Sequence, residues 1–321
     1  MFSNGIFYSA SDYYKKIFGC KVYKVSVNAG CTCPNRDGSK GFGGCAFCND
    51  SGSGDFTLQK EVKITDQIEK GKVLVKSKNR DGKYLAYFQN FTNTYGDKKS
   101  LLEKYREALS VQDVVGLVIA TRPDCVDEDF ISEIASLCKN LYLSIELGFQ
   151  TSRESSVKYI NRCYENEELI RAVKLIKKCA PDCHVVSHVI FGLPEEDDND
   201  MLNSVRYVIN AGCDGIKIAL LHVLSGTVVA KDYEKGKIRC LEMPEYFSVL
   251  AKALEIIPPD IVIHRLTGDG SKRNLIAPLW TSDKKNVYNS MLRFFRENGV
   301  VQGYLKRNHL IAGTVFDNLN I

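Results

Sequence analysis

The sequence predicts an α/β fold, in which six strand-plus-helix units lay down a parallel sheet, open or curled into a barrel, before an α+β extension. Three observations lead there. Between residues 21 and 221, short Val- and Ile-rich runs alternate with longer stretches of helical period, and each such crossover returns the chain to the same end of a sheet, which makes neighbouring strands parallel. The unusual polar residues fall after the C-terminal ends of the strands, where open α/β sheets and βα-barrels alike carry their sites. With 321 residues, 44% of them apolar, the chain has ample material for one large core.

The elements follow in order. KVYKVSV (21–27) alternates as a half-buried strand does and runs straight into a Gly-rich loop. Residues 59–78 read as a charged helix. KYLAYFQN (83–90) is the next strand, followed by a polar turn and a helix with Leu101, Tyr105 and Leu109 on one face. VVGLVIA (114–120) is a buried-type strand, and DEDFISEIASLC (127–138) is a helix whose first-turn acids suit its dipole. LYLSIEL (141–147) is a strand, and Leu169, Val173, Ile176 and Ala180 mark the core face of a helix over 165–180. HVVSHVIF (184–191) is strand-like, Glu195 to Asp198 open a helix carrying Met201, Val205 and Val208, and GIKIALL (215–221) ends the series. Beyond residue 225 the rhythm stops. A helix over 244–256, an extended IVIHRL at 261–266 and a helix over 283–298 are expected to form an extension packed on the barrel. The chain therefore divides, in expectation, into a core of residues 1–225 and a substrate-facing extension of residues 226–321.

Composition narrows the class of protein. The twelve cysteines are scattered along a chain whose first residues, MFSNGIFYSASDYYKKIFG, lack a secretory h-region, so reduced thiols and metal ligands are expected rather than a disulfide framework. No apolar run approaches the length of a bilayer span, and a soluble, cytoplasmic protein is the expectation. The net charge of +4 is ordinary. Its distribution is less so: Lys272, Arg273, Lys284, Lys285, Arg293, Arg296, Lys306 and Arg307 crowd the C-terminal stretch against Asp269, Asp283 and Glu297.

Residues 28–54, NAGCTCPNRDGSKGFGGCAFCNDSGSG, carry the strongest chemical signal. Cys33, Cys45 and Cys48 are the ligand set for a [4Fe–4S] cluster with one iron left open, since a fully ligated cluster of this type needs four. With Cys31 added, the same loop would supply a closed four-cysteine zinc site.

In its C-x-aromatic-C ending (Cys45, Ala46, Phe47, Cys48) after a first strand, the loop resembles that of the radical S-adenosylmethionine (SAM) superfamily. CPNRDGSKGFGGCAFCN is similar to the YhcC/YtqA-type family, in which eleven residues separate the first two cysteines, as here, where three is the superfamily's commoner spacing. Similar segments recur through to LTGDGSKRNLIAPLW at 266–280. The resemblance implies a partial (β/α)6 TIM-like barrel of the radical SAM type with the α+β extension. It also implies a [4Fe–4S] cluster on Cys33, Cys45 and Cys48, with Cys31 a spare thiol, and SAM chelating the open iron. A reductant such as flavodoxin or ferredoxin then drives cleavage of SAM to a 5′-deoxyadenosyl radical, the protein supplying binding and orientation. Phe47 is expected along the adenine, and Gly41, Gly43 and Gly44 are expected to let backbone approach the cluster.

The resemblance also assigns SAM contacts. FQNFTNTY (88–95) stands where relatives carry a Gly-Gly segment for the SAM amino group; lacking the glycines, it offers Gln89, Asn90 and Thr92. SIELGFQT (144–151) resembles the ELGxQS segment of the Elongator catalytic subunit and includes Glu146 and Gln150. Glu146 interrupts an apolar run where an unpaired carboxylate is costly, so it is expected at the site mouth, on a ribose hydroxyl or the SAM ammonium. An ion pair with Arg122 or Arg162 is the structural alternative. YINRCY (159–164) resembles the RGH segment, with Arg162 expected on the SAM carboxylate. GLPEE (192–196) resembles GLPGE, with Gly192 admitting adenine, while His188 reads as a core histidine.

His222, His264, Arg265 and Asp269 are expected to cap the barrel mouth, either as substrate contacts or as hydrogen-bonded structural residues. Trp280, Tyr288, Phe294, Phe295 and Tyr304 lie among the C-terminal basic residues and would suit a nucleic-acid backbone with bases nearby, as readily as an ordinary amphipathic helix. The resemblance points to tRNA as substrate, with maturation of a wobble uridine from carboxymethylaminomethyl towards aminomethyl. A radical enzyme acting on a small metabolite and a non-catalytic zinc-stabilised nucleic-acid-binding protein are the other readings.

Overall fold

The computed structural model describes residues 2–49, 52, 58, 62–77, 82–268 and 273–305. Asp269, Lys272, Lys306 and Arg307, and the end of the cysteine loop, lie outside the described residues. Helix α1 (Ala10–Phe18) precedes β1 (Val22–Val27). There follow α2 (Ile64–Val75), β2 (Lys83–Phe88), α3 (Lys98–Ser110), β3 (Val114–Thr121), α4 (Glu128–Leu137) and β4 (Tyr142–Gln150). Next come α5 (Glu154–Tyr159), α6 (Glu167–Cys179), β5 (His184–Phe191), α7 (Asp198–Asn210) and β6 (Gly215–Leu220). After β7 (Val223–Leu224), the extension holds α8 (Val228–Glu234), α9 (Met243–Ile256), β8 (Val262–Arg265), β9 (Leu275–Ala277) and α10 (Lys284–Glu297). Aspartates punctuate the strand-to-helix turns: Asp97, Asp127 and Asp197 each accept a backbone N–H at the start of α3, α4 and α7. Each satisfies a donor that the helix itself leaves orphaned.

The main sheet has seven parallel strands in the order β1-β2-β3-β4-β5-β6-β8. Six were expected; IVIHRL supplies the seventh, hydrogen-bonded along β6. Its membership was hidden because the chain reaches it through β7, α8 and α9, beyond the point where the regular alternation of strand and helix stops. The residues with helical period are those that pack on the sheet's outer face: Leu101, Tyr105, Phe130, Ile134, Leu169, Ile176, Val205 and Val208 are all buried in one core. Among the described residues no helix is long and apolar enough to cross a membrane.

The sheet curls, and one carboxylate shows by how much. Glu146 of β4 accepts from Lys24 of β1 at 2.7 Å, from Tyr87 of β2 at 2.7 Å and from His188 of β5 at 3.0 Å, and it also pairs with Lys217 of β6. Strands β1 and β6 stand five positions apart, about 24 Å in a flat sheet, beyond the reach of two lysines meeting on one side chain. Only a sheet bent towards a barrel brings them together. On the inner face, Tyr14 of α1 packs with Leu85, Tyr87 and Val118.

Two stability outcomes follow from this packing. A Cβ added at Gly116 of β3 would run into the backbone carbonyl of Tyr142 on the neighbouring strand. Gly116→Ala is therefore expected to lose about 1 to 3 kcal/mol in urea unfolding. Glu146→Gln strands the buried Lys217 and the half-buried Lys24 and is expected to lose about 3 to 5 kcal/mol, whereas Glu69→Gln, which breaks an exposed pair with Lys72, costs no more than about 1 kcal/mol. Equal losses at the two sites would show that the inner carboxylate carries no special weight.

Candidate active site

The loop after β1 brings three cysteines back on themselves. Arg36 N–H donates to Cys33 O at 2.8 Å, Lys40 N–H to Pro34 O at 2.9 Å and Gly44 N–H to Asn35 O at 2.8 Å, and Asp37 and Phe42 form an antiparallel bridge. The eleven residues between Cys33 and Cys45 are thus folded into a small closed turn, which returns the chain to its starting point. Cys33, Cys45 and Cys48 line one cavity at the C-terminal ends of the strands, together with Phe47, Gln89, Thr92, Glu146, Gln150 and Arg162. Cys31 does not. It packs against the outer apolar core, where burial pushes its thiol up to about 11 despite the nearby Lys104.

Two guanidinium groups stand at the thiols. Arg36 Nη2 lies 3.5 Å from Cys48 Sγ and donates to Cys48 O at 3.1 Å. Gly44, at φ +79°, gives it room: a Cβ there would sit 2.9 Å from Arg36 Nε. Arg122 Nη1 lies 4.0 Å from Cys33 Sγ, the guanidinium oriented by bidentate pairing with Asp124 at 2.9 and 3.0 Å. Burial, aided by Cys48 and also Cys33, pushes the Cys45 thiol up to about 12 against the pull of Arg122. Three thiolates gathered there need positive charge or a metal to be stable. Among the described residues no three His, Cys, Asp or Glu side chains converge on a single ion; a cuboidal cluster instead spreads its ligands around a body of several atoms. The three thiols, the two cations beside them and the buried, unpartnered Thr92 Oγ1 fit an iron–sulfur cluster with a polar ligand alongside.

The other expected contacts divide. Gln150 adopts φ +68° at the end of β4 and lines the cavity. Asn90 lies behind the wall, buried, its carbonyl accepting from Asn93 Nδ2 at 3.1 Å. Gly192 does not face the cavity: its missing Cβ would meet Leu241 at 3.2 Å, so the close approach it permits is by the extension and not by adenine. Glu146 does line the cavity, but its partners are Lys24 and Lys217, not Arg122 or Arg162. Burial works against its ionisation, and Lys217 with Lys24 outweighs it, holding the carboxyl well below the usual range.

Arg162 corrects the expectation most clearly. All five of its N–H donors are taken within the chain, by Tyr164 O at 3.1 and 2.9 Å, Phe149 O and Thr151 O at 2.8 Å, and Asn166 Oδ1 at 2.8 Å. A guanidinium so occupied has no fork left for a SAM carboxylate. Its work is to fix the 159–164 segment to the end of β4, and that segment grips the cysteine loop. Ala46 N–H donates to Ile160 O at 3.0 Å, and Asn161 Nδ2 donates to Phe42 O at 3.1 Å and to Gly44 O at 3.0 Å. Gly41 is also pressed on this segment, 2.9 Å from Cys163 Sγ at its absent Cβ, so its role too is close packing within the loop.

On the substrate side, His222, His264 and Arg265 line a second cavity next to the first. His264 Nε2 lies 2.8 Å from His184 Nε2, and its ring contacts Tyr13 and Tyr14, so it is tied into the barrel wall. Trp280, Phe294 and Phe295 pack into the core rather than presenting faces to bases; Tyr288 and Tyr304 are exposed. Sequence reasoning missed Lys24, Tyr87, Lys217 and Arg36. A lysine in the middle of each apolar strand, KVYKVSV and GIKIALL, was the available signal, since lysine is almost never buried unpaired.

Comparison with known proteins agrees with this geometry. Residues 30–208 match the family model of the radical SAM superfamily, and residues 213–295 match the Radical_SAM C-terminal domain. YtqA of Bacillus subtilis (strain 168) is 40% identical over 92% of this chain and 92% of its own length. YhcC of Escherichia coli (strain K12) is 33% identical over 90% of this chain and 92% of its own. Among solved structures, the archaeal Elp3 of Methanocaldococcus infernus superposes with a TM-score of 0.66 at 17% identity, over 88% of this chain but only 64% of that one, a likeness of fold. Three thiols on a strand-end loop of a curled parallel sheet, and near full-length kinship with YtqA and YhcC, make this chain a member of the radical SAM superfamily, in its YhcC/YtqA family, and hence an enzyme whose cofactors are a [4Fe–4S] cluster and SAM.

Proposed function

We propose that Cys33, Cys45 and Cys48 hold the cluster and that the enzyme acts on the wobble uridine of tRNA, taking a carboxymethylaminomethyl side chain towards aminomethyl. The observation that carries the ligand assignment is the separation of the four loop cysteines: three share a cavity and Cys31 is turned into the outer core. The chemistry supplied there once both cofactors are bound is hydrogen-atom abstraction by a 5′-deoxyadenosyl radical. The chain's own residues hold and insulate. Arg36 and Arg122 offset thiolate charge; Phe47, Gln89, Thr92 and Gln150 wall the SAM space. Ala46 packs with Leu193, Leu221 and Val229, which keeps water from the back of the loop. Radical SAM enzymes need a reductant; flavodoxin or ferredoxin in the cytoplasm is the donor proposed here.

The substrate reading is supported by the resemblance of SIELGFQT to the Elongator segment and by the outer face of α10. There Lys285, Arg293 and Arg296 are exposed with Tyr288, while Val287, Met291, Leu292 and Phe295 are buried. A basic face of that kind suits a phosphate backbone. We propose that residues 226–321 form the substrate-facing extension, from which β8 joins the barrel sheet.

Replacing Cys33, Cys45 or Cys48 by Ala is expected to reduce anaerobically reconstituted iron and abolish 5′-deoxyadenosine formation. Cys31→Ala is expected to keep most of both. Iron content and SAM cleavage lost equally in Cys31→Ala would overturn the assignment. For the substrate, tRNA from cells lacking the gene is expected to accumulate carboxymethylaminomethyluridine at the wobble position. An unchanged nucleoside profile would sink the tRNA reading and favour a small metabolite.

A further inference from the structure

The cavity beside the cysteine site, 680 Å³ in volume, shares Phe47, Tyr87, Gln89, Gln150 and His188 with it, so a group bound in one lies against the other. Lys24 and Lys217 both line it. Among the described residues lining it there is no aspartate or glutamate. The carboxylate these lysines share, Glu146, is fully buried and borders the cysteine cavity instead.

Among the described residues the charges around Glu146 do not balance. With both ammonium groups protonated, Lys24 and Lys217 set two positive charges against the single negative charge of Glu146, and the third basic partner, His188, contributes only a neutral ring. Burial, followed by the repulsion of Lys217, pushes His188 down to about 4. The surplus falls on Lys217: burial is the larger influence, Glu146 opposes it, and Lys24 and Arg265 add to it, leaving the ammonium near pKa 7. A buried net cation is expensive unless something neutralises it. Arg265 and Lys284 line the same cavity, and a bound anion would supply the second negative charge that Lys24 and Lys217 lack around Glu146.

We propose that this cavity is the substrate subsite for a carboxylate, held between the ammonium groups of Lys24 and Lys217 beside the SAM space. The inference rests on the tRNA reading only for the identity of the ligand, the carboxylate that ends a carboxymethylaminomethyl side chain; the site itself stands on the geometry. Lys24 and Lys217 are binding residues in this proposal, and Glu146 is a positioning residue that holds the two ammonium groups at one place.

The test uses the oxidised, cluster-loaded full chain labelled with carbon-13 at the lysine ε-carbons, with the signals of Lys24 and Lys217 assigned by their loss in Lys24→Met and Lys217→Met. Titration with acetate is expected to move both signals, and acetamide at the same concentrations is expected to move neither. In Lys217→Met, half-saturation of the Lys24 shift is expected to need at least about tenfold more acetate, the loss of one charge-assisted hydrogen bond, and Lys217→Arg is expected to recover part of it. Acetate that leaves both signals in place, or acetamide that moves them equally, overturns the proposal. Inorganic phosphate acting at lower concentration than acetate overturns the carboxylate assignment. The two readings fail separately. Acetate-responsive lysines together with an unchanged tRNA nucleoside profile would retire the tRNA substrate and leave the subsite standing, whereas altered tRNA with unresponsive lysines would do the reverse.

Discussion

A single buried carboxylate gathers the inner face of this protein. Glu146 draws side chains from β1, β2, β5 and β6 onto β4, and a sheet whose strands twist but lie open could not satisfy them all. The interaction is costly in isolation, since taking charges out of water is repaid only where geometry and hydrogen bonding are good. Here each carboxylate oxygen has a cation, and Tyr87 and His188 both add to the oxygen that Lys217 holds. The consequence is geometric. With the inner face held closed, the end of β1, where the cysteine loop begins, lies across the same opening as the end of β4.

Across that opening the cysteine loop is held by hydrogen bonds to its backbone and by Ala46, which packs in a small apolar cluster. Arg162 ties the 159–164 segment to β4, and that segment supplies a carbonyl at Ile160 and an amide at Asn161 to the loop. On its other side Val229 N–H donates to Ala46 O at 3.1 Å. The loop is therefore pinned both by the barrel and by the first helix of the extension. A Gly-rich segment has much conformational entropy to lose, and these contacts offset that loss before any metal binds. The same economy explains why Arg162 cannot serve a cofactor: the residue that fixes the loop has no donors to spare.

The division of charge around the site follows from these two frameworks. At the thiols the cations are arginines, Arg36 and Arg122, whose forked donors are oriented by backbone carbonyls and by Asp124. Deeper in the barrel they are lysines, Lys24 and Lys217, flexible point charges that share one carboxylate. Arginine suits a fixed contact to sulfur that must stay charged; lysine suits a place where a ligand arrives and the charge state responds to it. The membership in the radical SAM superfamily fits the first set, and the second set gives the neighbouring space a preference for anions.

Much of the fold is legible in the order of the residues. The alternation of strand and helix, the acids at the start of α4 and α7, the core faces of α3, α6 and α7 and the three-cysteine motif are local or periodic features, which short-range physics writes directly into the order of residues. The seventh strand was not legible, because IVIHRL joins the sheet through a long connection. Nor were the partners of Glu146: Lys24 and Lys217 are far apart in sequence from it and from each other, and only curvature makes them neighbours. The role of Arg162 was likewise decided by where the carbonyls of Phe149 and Thr151 point, and the separation of Cys31 from Cys33 by which way each side chain turns out of one short stretch. Sequence alone determined the alternating strands and helices between residues 21 and 221, the three-cysteine motif and the family. Tertiary structure decided which charges meet, because long-range pairing depends on how far the sheet closes, a property of all its strands together and of no segment by itself.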